Sequence, residues 1–251
     1  MSIDPRPDAN DAALGAPLIA AATVIVLRPR PSVRSPGLEI LMLQRNRGGN
    51  FGGAWVFPGG KIDPGDSPDN DDDPVRADAR AASRECLEEA SVEVSPGELI
   101  RWSHWTPPVR AGVRFSTSFF VAIAPSALHA VTVDGAEIVR YSWMTPAEIF
   151  AAHEAGKMEL APPTFITVCQ LGDHGTVDSA ISAAGQPSVE HFETRIAVTE
   201  TDVLALYHGD VAYETLDPDS RGHRHRLVMR RAGDERRTVW TYQRDPETRP
   251  T

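Results

Sequence analysis

Residues 57–66 read FPGGKIDPGD and residues 84–91 read RECLEEAS, and the fold class follows from the way these two stretches are joined. The first overlaps the short apolar run AWVF and is rich in glycine and proline, which predicts a strand that ends in a loop. The second lies within residues 76–91, which contain strong helix formers and no interior glycine or proline. A strand, a glycine-rich loop and a helix are therefore expected in this order.

Three carboxylates lie on one side of the predicted helix. Because successive residues of an α-helix are rotated by about 100°, Glu88 lies about 60° to one side of Glu85 and Glu89 about 40° to the other. The opposite face is apolar and consists of Ala79, Ala82, Cys86 and Ala90. Such acids form either a solvated face or the oxygen ligands of a hard divalent cation such as Mg²⁺. The preceding loop favours the cation site, because glycine lets the backbone approach a ligand closely.

Outside these stretches, the hydrophobic pattern predicts a mixed sheet with helices packed on it. The runs LIAAATVIVL and LEILMLQR have strand character, and we expect them to pair as a hairpin. Further strands are predicted at 98–105, 113–123 and 137–144, and further helices at 145–155 and 163–171. The sequence Thr145-Pro146-Ala147-Glu148 is typical of a helix start, with a capping threonine followed by proline.

The domain organisation follows from length and from changes in composition. A chain of 251 residues is expected to form one or two domains. Residues 1–17 are rich in Pro, Asp and Ala and predict a flexible N-terminal arm. Residues 18–171 predict one α/β domain. After residue 171 a Gly/Ala/Ser-rich stretch is followed by strand-like runs, so residues 172–251 are predicted to be a small C-terminal extension that is partly β.

Composition excludes several classes of protein. The formal net charge of −10 argues against a nucleic-acid partner, which favours a basic surface. The two cysteines, Cys86 and Cys169, form neither a disulfide framework nor a metal-ligand spacing. No apolar run reaches the roughly 18 residues that span a bilayer, and residues 1–17 have no signal-peptide pattern. We therefore expect a cytoplasmic protein with no membrane association.

The two stretches together resemble the signature of the Nudix hydrolases, G-x5-E-x7-R-E-U-x-E-E-x-G-U, in which U is aliphatic. The matching positions are Gly60, Arg84, Glu85, Cys86, Glu88, Glu89 and Val92. There are three departures. Asp66 stands at the position of the first Glu, 17 residues instead of 7 separate it from Arg84, and Ser91 stands at the position of the last Gly.

The resemblance implies a Nudix-type α/β/α sandwich with a mixed β-sheet. It also implies metal-dependent hydrolysis, with Mg²⁺ or Mn²⁺, of a diphosphate linkage in a small-molecule nucleoside-diphosphate derivative. Glu88 and Glu89 would be metal ligands, and Glu85 a ligand or the base that activates water. The Gly59 carbonyl would be a further ligand. Arg84 would orient Glu85 by a charge-assisted hydrogen bond, and Asp66 with Gly60 would brace the loop.

Further stretches within 18–171 are similar to the acyl-coenzyme A diphosphatase branch of the superfamily. They are FGGAWVFPGG, RFSTSFFVA, EIVRYSWMTPAEI and LAPPTFITVCQL. Coenzyme A or an acyl-coenzyme A is therefore one candidate substrate, and ADP-ribose or NADH is the alternative. The departures at Asp66 and Ser91 motivate a rival interpretation, a non-catalytic nucleotide-binding module. Separately, a homodimer is a candidate oligomeric state.

Other residues have both a structural and a functional interpretation. Arg110 and Arg114 are candidates for binding substrate phosphate, and Trp105 for stacking on a base; surface charge and core packing are the alternatives. Glu137 is interpreted as a surface turn residue, although some Nudix enzymes take a further acid from a downstream loop. The acidic run at 69–73 is interpreted as a solvated loop, and His223 with His225 as a solvated or anion-facing loop.

Overall fold

The computed structural model describes residues 17–31, 37–48, 52–67, 74–109, 113–126, 130–185, 188–231 and 238–248. Most of the predicted N-terminal arm, the acidic run at 69–73 and the candidate residue Arg110 lie outside these ranges. Within them, no helix is both long enough and apolar enough to cross a membrane.

The order of elements is that of a mixed α/β protein. The strands are β1 (Leu18–Pro29), β2 (Leu38–Arg45), β3 (Trp55–Val56), β4 (Gly59–Lys61), β5 (Ile100–Thr106), β6 (Arg114–Ile123), β7 (Ile138–Met144), β8 (Glu190–Glu193), β9 (Arg195–Val198), β10 (Asp202–Leu206), β11 (His225–Arg231) and β12 (Thr238–Arg244). The helices are α1 (Pro74–Ala90), α2 (Pro146–Glu154), α3 (Pro162–Gly172) and α4 (Val177–Ala184). Short 3₁₀ helices occur at Pro64–Asp66, Pro96–Glu98 and Pro246–Thr248.

The larger sheet has the strand order β3-β2-β1-β6-β5-β8, with β4 added to β1 and β7 to β2. The predicted hairpin is confirmed, since β1 and β2 are antiparallel with Leu27 opposite Ile40. The second sheet, β12-β11-β10-β9, is antiparallel. The predicted fold class, a mixed α/β sheet protein with additional β structure near the C-terminus, is thereby confirmed.

The described residues form two compact units. The larger consists of Ala20–His104 and Thr117–His191, and the smaller of Met1–Ile19, Trp105–Ser116 and Phe192–Thr251, as far as these are described. These divisions fall elsewhere than the predicted boundary after residue 171. The stretch at 172–188, for which no element was predicted, contains α4, whose N-terminus is capped by the Thr176 side chain. A functional division into domains stays a prediction.

The core of the larger unit lies between β1, β2 and α1. Val24 and Leu41 from the sheet pack in one cluster with the apolar face of α1. That face was predicted, and all four of its residues are buried. Burial raises the pKa of the Cys86 thiol to about 12, with a smaller contribution from the charge of Glu89. The thiol is therefore protonated at neutral pH, and Cys86 acts as a small apolar core residue.

Helix α1 ends in a left-handed residue. Ser91 has φ of +53°, in a region that L-residues with a side chain avoid. Its N–H donates to Leu87 O at 2.9 Å, and the Val92 N–H donates to Cys86 O at 3.4 Å. Glycine adopts this conformation without steric cost. This explains why the Nudix signature has glycine at the corresponding position, and it means that Ser91 is strained there.

The smaller unit is built on the second sheet. Its core includes Ala197, Leu204, Leu206, Ala212 and Tyr213. A second group is aromatic: Trp105 stacks on Phe192 with ring centroids 3.9 Å apart, and both rings meet Tyr207 edge-on. The packing of Trp105 in this group explains why residues 105–116 belong with the C-terminal residues and not with the predicted domain at 18–171.

Candidate functional site

Part of the predicted glycine loop is a strand. Residues 59–61 form β4, which pairs with β1 so that Gly59 lies opposite Thr23 and Gly60 opposite Ala22. The prediction of a loop was wrong for residues 59–61, because three residues without hydrophobic alternation carry no strand signal. A Cβ on Gly59 would lie 2.6 Å from the Thr23 Cβ. Glycine is therefore required for β4 to approach β1 this closely.

Gly60 lies directly against the Glu85 carboxylate. A Cβ at position 60 would overlap both carboxylate oxygens of Glu85. Any side chain at this position would displace the carboxylate. The strand β4 thus provides a flat backbone surface on which the acids of α1 lie.

Glu89 is the most deeply buried acid of the group, with 3% of the residue exposed. Its Oε2 accepts a hydrogen bond from the Gly59 N–H at 2.9 Å. Its Oε1 is buried and has no hydrogen-bond donor among the described residues. The pKa of Glu89 is raised to about 8, mainly by burial; the Gly59 hydrogen bond and the charge of Arg45 oppose the rise, and the charges of Glu85 and Glu137 add to it. A buried acid oxygen without a donor is a position where a cation would be stabilised.

Glu85 and Glu88 share one arginine. The Arg84 Nη1 donates to Glu85 Oε1 at 2.9 Å and to Glu88 Oε2 at 3.2 Å. Burial raises the pKa of Glu85, although the hydrogen bond from Arg84 opposes this change. The side chain of Glu88 is 58% exposed and faces solvent. The predicted arrangement of three acids on one side of α1 is therefore present.

The same arginine also holds the loop. Arg84 Nη2 donates to Asp66 Oδ2 at 2.9 Å and Nε donates to Asp66 Oδ1 at 3.2 Å. Nη2 also donates to Lys61 O at 3.0 Å. Burial alone would raise the pKa of Asp66, but the Arg84 hydrogen bonds hold it below its ordinary value. The shorter side chain of Asp therefore still reaches the arginine across the enlarged spacing.

The acids fit a hard divalent cation by their chemistry. Within the described ranges, no group of three or more His, Cys, Asp or Glu side chains is arranged to hold a metal ion as it stands. The reason lies in the contacts above, since Arg84 holds Glu85 and Glu88 while Gly59 holds one oxygen of Glu89. Glu89 Oε1 nevertheless has no hydrogen-bond donor among the described residues, only the Arg45 guanidinium at 3.7 Å, and Glu85, Glu88 and Glu89 together bring three carboxylates to one place. Oxygen ligands of this kind suit Mg²⁺ or Mn²⁺.

Two charged residues near the acids had no predicted link to them in the sequence. Arg45, at the end of β2, lies with Nη1 3.7 Å from Glu89 Oε1 and with Nη2 3.2 Å from Glu137 Oε2. Glu137 was interpreted as a surface turn residue, and 62% of its side chain is indeed exposed. Its charge nevertheless raises the pKa of both Glu85 and Glu89. Only the register of β2 against β7, which places Arg45 opposite Ile138, would have shown this proximity.

The other candidate residues have structural contacts. Trp105 is 3% exposed and packs in the aromatic group of the smaller unit. Arg114 Nη2 donates to Pro107 O at 3.1 Å. These contacts favour core packing and loop support, and substrate binding by either residue stays a prediction.

His225 is 2% exposed, so its interpretation as part of a solvated or anion-facing loop was wrong. It begins β11 and contacts His208 O through Nδ1 and the Tyr242 hydroxyl through Nε2.

The geometry agrees with comparisons to known proteins. The NUDIX domain family model matches residues 17–164. Curated relatives include acyl-coenzyme A diphosphatase NUDT19 of Gallus gallus, 28% identical over 50% of this chain and 35% of the relative. The protein of the same name from Homo sapiens is 27% identical over 76% of this chain and 47% of the relative. The chain thus spans less than half the length of these relatives.

A solved structure supports the fold. The NUDIX hydrolase from Alicyclobacillus acidocaldarius superposes with a TM-score of 0.57 at 21% identity, over 69% of this chain and 97% of that one. The family match covers more than half of the sequence and includes β4 and the acidic face of α1. The chain therefore belongs to the Nudix hydrolase family.

Proposed function

We propose that this protein is a metal-dependent hydrolase that cleaves a diphosphate linkage in a nucleoside-diphosphate derivative. The observation that carries the proposal is the buried Oε1 of Glu89, which lies on the same helix face as Glu85, has no hydrogen-bond donor among the described residues and has the Arg45 guanidinium only at 3.7 Å. An acid oxygen left in this state is costly unless a cation or a proton neutralises it. Family membership supplies the reaction class.

The three acids are proposed to have different roles. Glu88, Glu89 and the Gly59 carbonyl would hold Mg²⁺ or Mn²⁺, and Glu85 would hold the metal or act as base. A bound divalent cation neutralises charge on phosphate oxygens and makes a bound water more acidic. Arg84 keeps the Glu85 carboxylate oriented through its hydrogen bond at 2.9 Å. Ionised Glu85 accepts the proton of the attacking water, the new P–O bond forms, and the bridging P–O bond breaks as the second phosphate leaves.

For the substrate, we propose coenzyme A or an acyl-coenzyme A, cut to adenosine 3′,5′-bisphosphate and a 4′-phosphopantetheine product. The name of the curated relatives supports this choice. ADP-ribose and NADH are the alternative substrates, since both contain the same kind of linkage. A non-catalytic nucleotide-binding module is the rival from another class, and the retained Asp66–Arg84 pair argues against it.

The decisive experiment is a substrate screen with coenzyme A, an acyl-coenzyme A, ADP-ribose and NADH, each with Mg²⁺ or Mn²⁺ and with products read by mass. The matched control is Glu85→Gln, which keeps the shape of the side chain. We expect it to lower kcat by at least about 10²-fold, as for the loss of a positioned base, with the circular dichroism spectrum unchanged. Wild-type protein that binds these nucleotides without cleaving any would identify a binding module instead.

A further inference from the structure

A cavity of about 450 Å³ opens beside the acids, entirely within the larger unit. It lies where β2 and β7 meet, at the register that sets Gln44 opposite Arg140. Arg45, Arg47, Arg140 and the exposed Val139 are among the residues that line it. Three arginines are therefore among the residues that line one cavity, and none of the lining residues is acidic.

Two of these arginines have no charged or hydrogen-bonded partner among the described residues. Arg47 and Arg140 are exposed, and neither side chain forms an ion pair or hydrogen bond with another described residue. Other arginines of the larger unit are engaged, as Arg28 is with Glu39 and Arg84 with Asp66. The contrast is informative in a chain that contains 35 acidic and 25 basic residues. Like charges around one cavity repel each other unless an anion occupies it.

The third arginine joins the cavity to the acids. Arg45 contacts Glu89 and Glu137 at 3.7 and 3.2 Å, and it is also one of the residues that line the cavity. The cavity thus begins about the length of one arginine side chain from Glu89. If the diphosphate is cleaved at the acids, the arginines face the next anionic group of the same substrate.

We propose that the cavity formed by Arg45, Arg47 and Arg140 binds a phosphate monoester on the ribose of the substrate, separate from the diphosphate that is cleaved. The proposal rests on the proposed function and deepens it. A phosphate monoester carries close to two negative charges and three acceptor oxygens, which guanidinium groups bind in a forked geometry. The cavity volume also has room for the sugar and base. This ribose phosphate can be a 3′-phosphate, as in coenzyme A, or a 2′-phosphate, as in NADPH.

The kinetic test compares paired substrates. Coenzyme A is measured against dephospho-coenzyme A, and NADPH against NADH, with wild type, R47Q, R140Q and the double variant. We expect the wild type to prefer the phosphorylated member of one pair by at least about tenfold in kcat/KM, as for a charge-assisted hydrogen bond. The double variant is expected to bring this ratio close to one, through a higher KM. The control is R30Q, which removes the same charge from a partly exposed arginine that faces Glu148 outside the cavity.

A binding test separates this proposal from the proposed function. Calorimetry with adenosine 3′,5′-bisphosphate, adenosine 2′,5′-bisphosphate, AMP and inorganic phosphate needs no turnover. Tighter binding of one bisphosphate than of AMP, lost in the double variant and retained in R30Q, would support the cavity even if no diphosphate were cleaved. Equal affinities in the wild type would overturn the proposal. So would arginine-dependent binding of inorganic phosphate without any preference between the nucleotides.

Discussion

The two carboxylate oxygens of Glu89 have different surroundings. Oε2 accepts the Gly59 N–H, whereas Oε1 has no donor among the described residues. Burial makes the ionised form costly and raises the pKa to about 8. In the metal-free protein, this residue therefore favours folding when it is protonated.

The stability of the metal-free protein should consequently fall as the pH rises. A carboxyl whose pKa is 4.5 when unfolded and about 8 when folded stabilises fully below pH 4.5, and this contribution is lost as the pH rises towards 8. Thermal unfolding in a chelator between pH 5 and 9 tests this, with Glu89→Gln as control. We expect wild type to lose at least about 2 °C relative to the variant, which corresponds to about 1 kcal/mol at this size. Parallel pH curves for the two proteins would contradict the prediction.

Ser91 provides a second test at a single residue. A side chain in the left-handed region costs roughly 1–2 kcal/mol, whereas glycine pays an entropic cost of about 0.5–1 kcal/mol. Ser91→Gly should therefore raise the free energy of unfolding by up to about 1 kcal/mol, measured by urea denaturation. Ser91→Ala is the control, because it keeps the Cβ and should give no gain. A lower stability for the glycine variant would show that the serine side chain compensates its strain.

At the level of elements, Arg84 connects α1 to the loop at Asp66. Its guanidinium makes two hydrogen bonds to the Asp66 carboxylate and one to Glu85. Because the same side chain orients Glu85, the loss of Asp66 should affect activity as well as stability. Asp66→Ala is expected to lower kcat/KM, and Asp66→Glu, which restores the signature residue, is expected to be tolerated.

A double-mutant cycle shows whether Asp66 and Arg84 act together as a pair or have separate roles. Asp66→Ala, Arg84→Ala and the double variant are compared in kcat/KM and in denaturant midpoint. Coupled residues should give an interaction free energy of about 0.5–3 kcal/mol. Additive losses would mean that Asp66 and Arg84 act independently.

The sequence was sufficient for elements that carry a regular pattern. The acids and alanines of α1 repeat at helical spacing, so both of its faces were predicted. Strand β4 was missed because Gly59, Gly60 and Lys61 have no alternation of polar and apolar side chains. Arg45 and Glu137 meet only through the pairing of β2 with β7. Such long-range register depends on tertiary packing, which a local pattern does not encode.

At the level of the whole molecule, each of the two units has its own core. The smaller unit contains a buried ion pair, in which Arg226 Nε donates to Asp210 Oδ2 at 2.7 Å and Nη2 to Asp210 Oδ1. Asp210 also accepts the backbone N–H groups of Ala212 and His225, both at 2.8 Å. The pair therefore fixes the loop after β10 to the start of β11. The cytoplasmic location, the absence of a nucleic-acid partner and the oligomeric state stay predictions.

Removing one member of this pair should destabilise the unit strongly. Asp210→Ala leaves the guanidinium of Arg226 buried without its partner, which typically costs about 3–5 kcal/mol. Chemical denaturation followed by tryptophan fluorescence measures the loss. Asp202→Ala is the matched control, because its partner Arg230 is exposed and such pairs contribute about 0–1 kcal/mol. If both variants lost the same free energy of unfolding, the buried pair would contribute no more to stability than the exposed one.

The thiol of Cys86 lies in the same turn of α1 as the acids, but on the face that packs against the sheet. Because this thiol is fully covered and protonated at neutral pH, an alkylating reagent modifies it only while the helix is detached from the sheet. The rate at which Cys86 is alkylated therefore measures how often the helix detaches from the sheet. Any cation or nucleotide that holds the acids of α1 against strand β4 should lower this rate, whether or not a bond is cleaved.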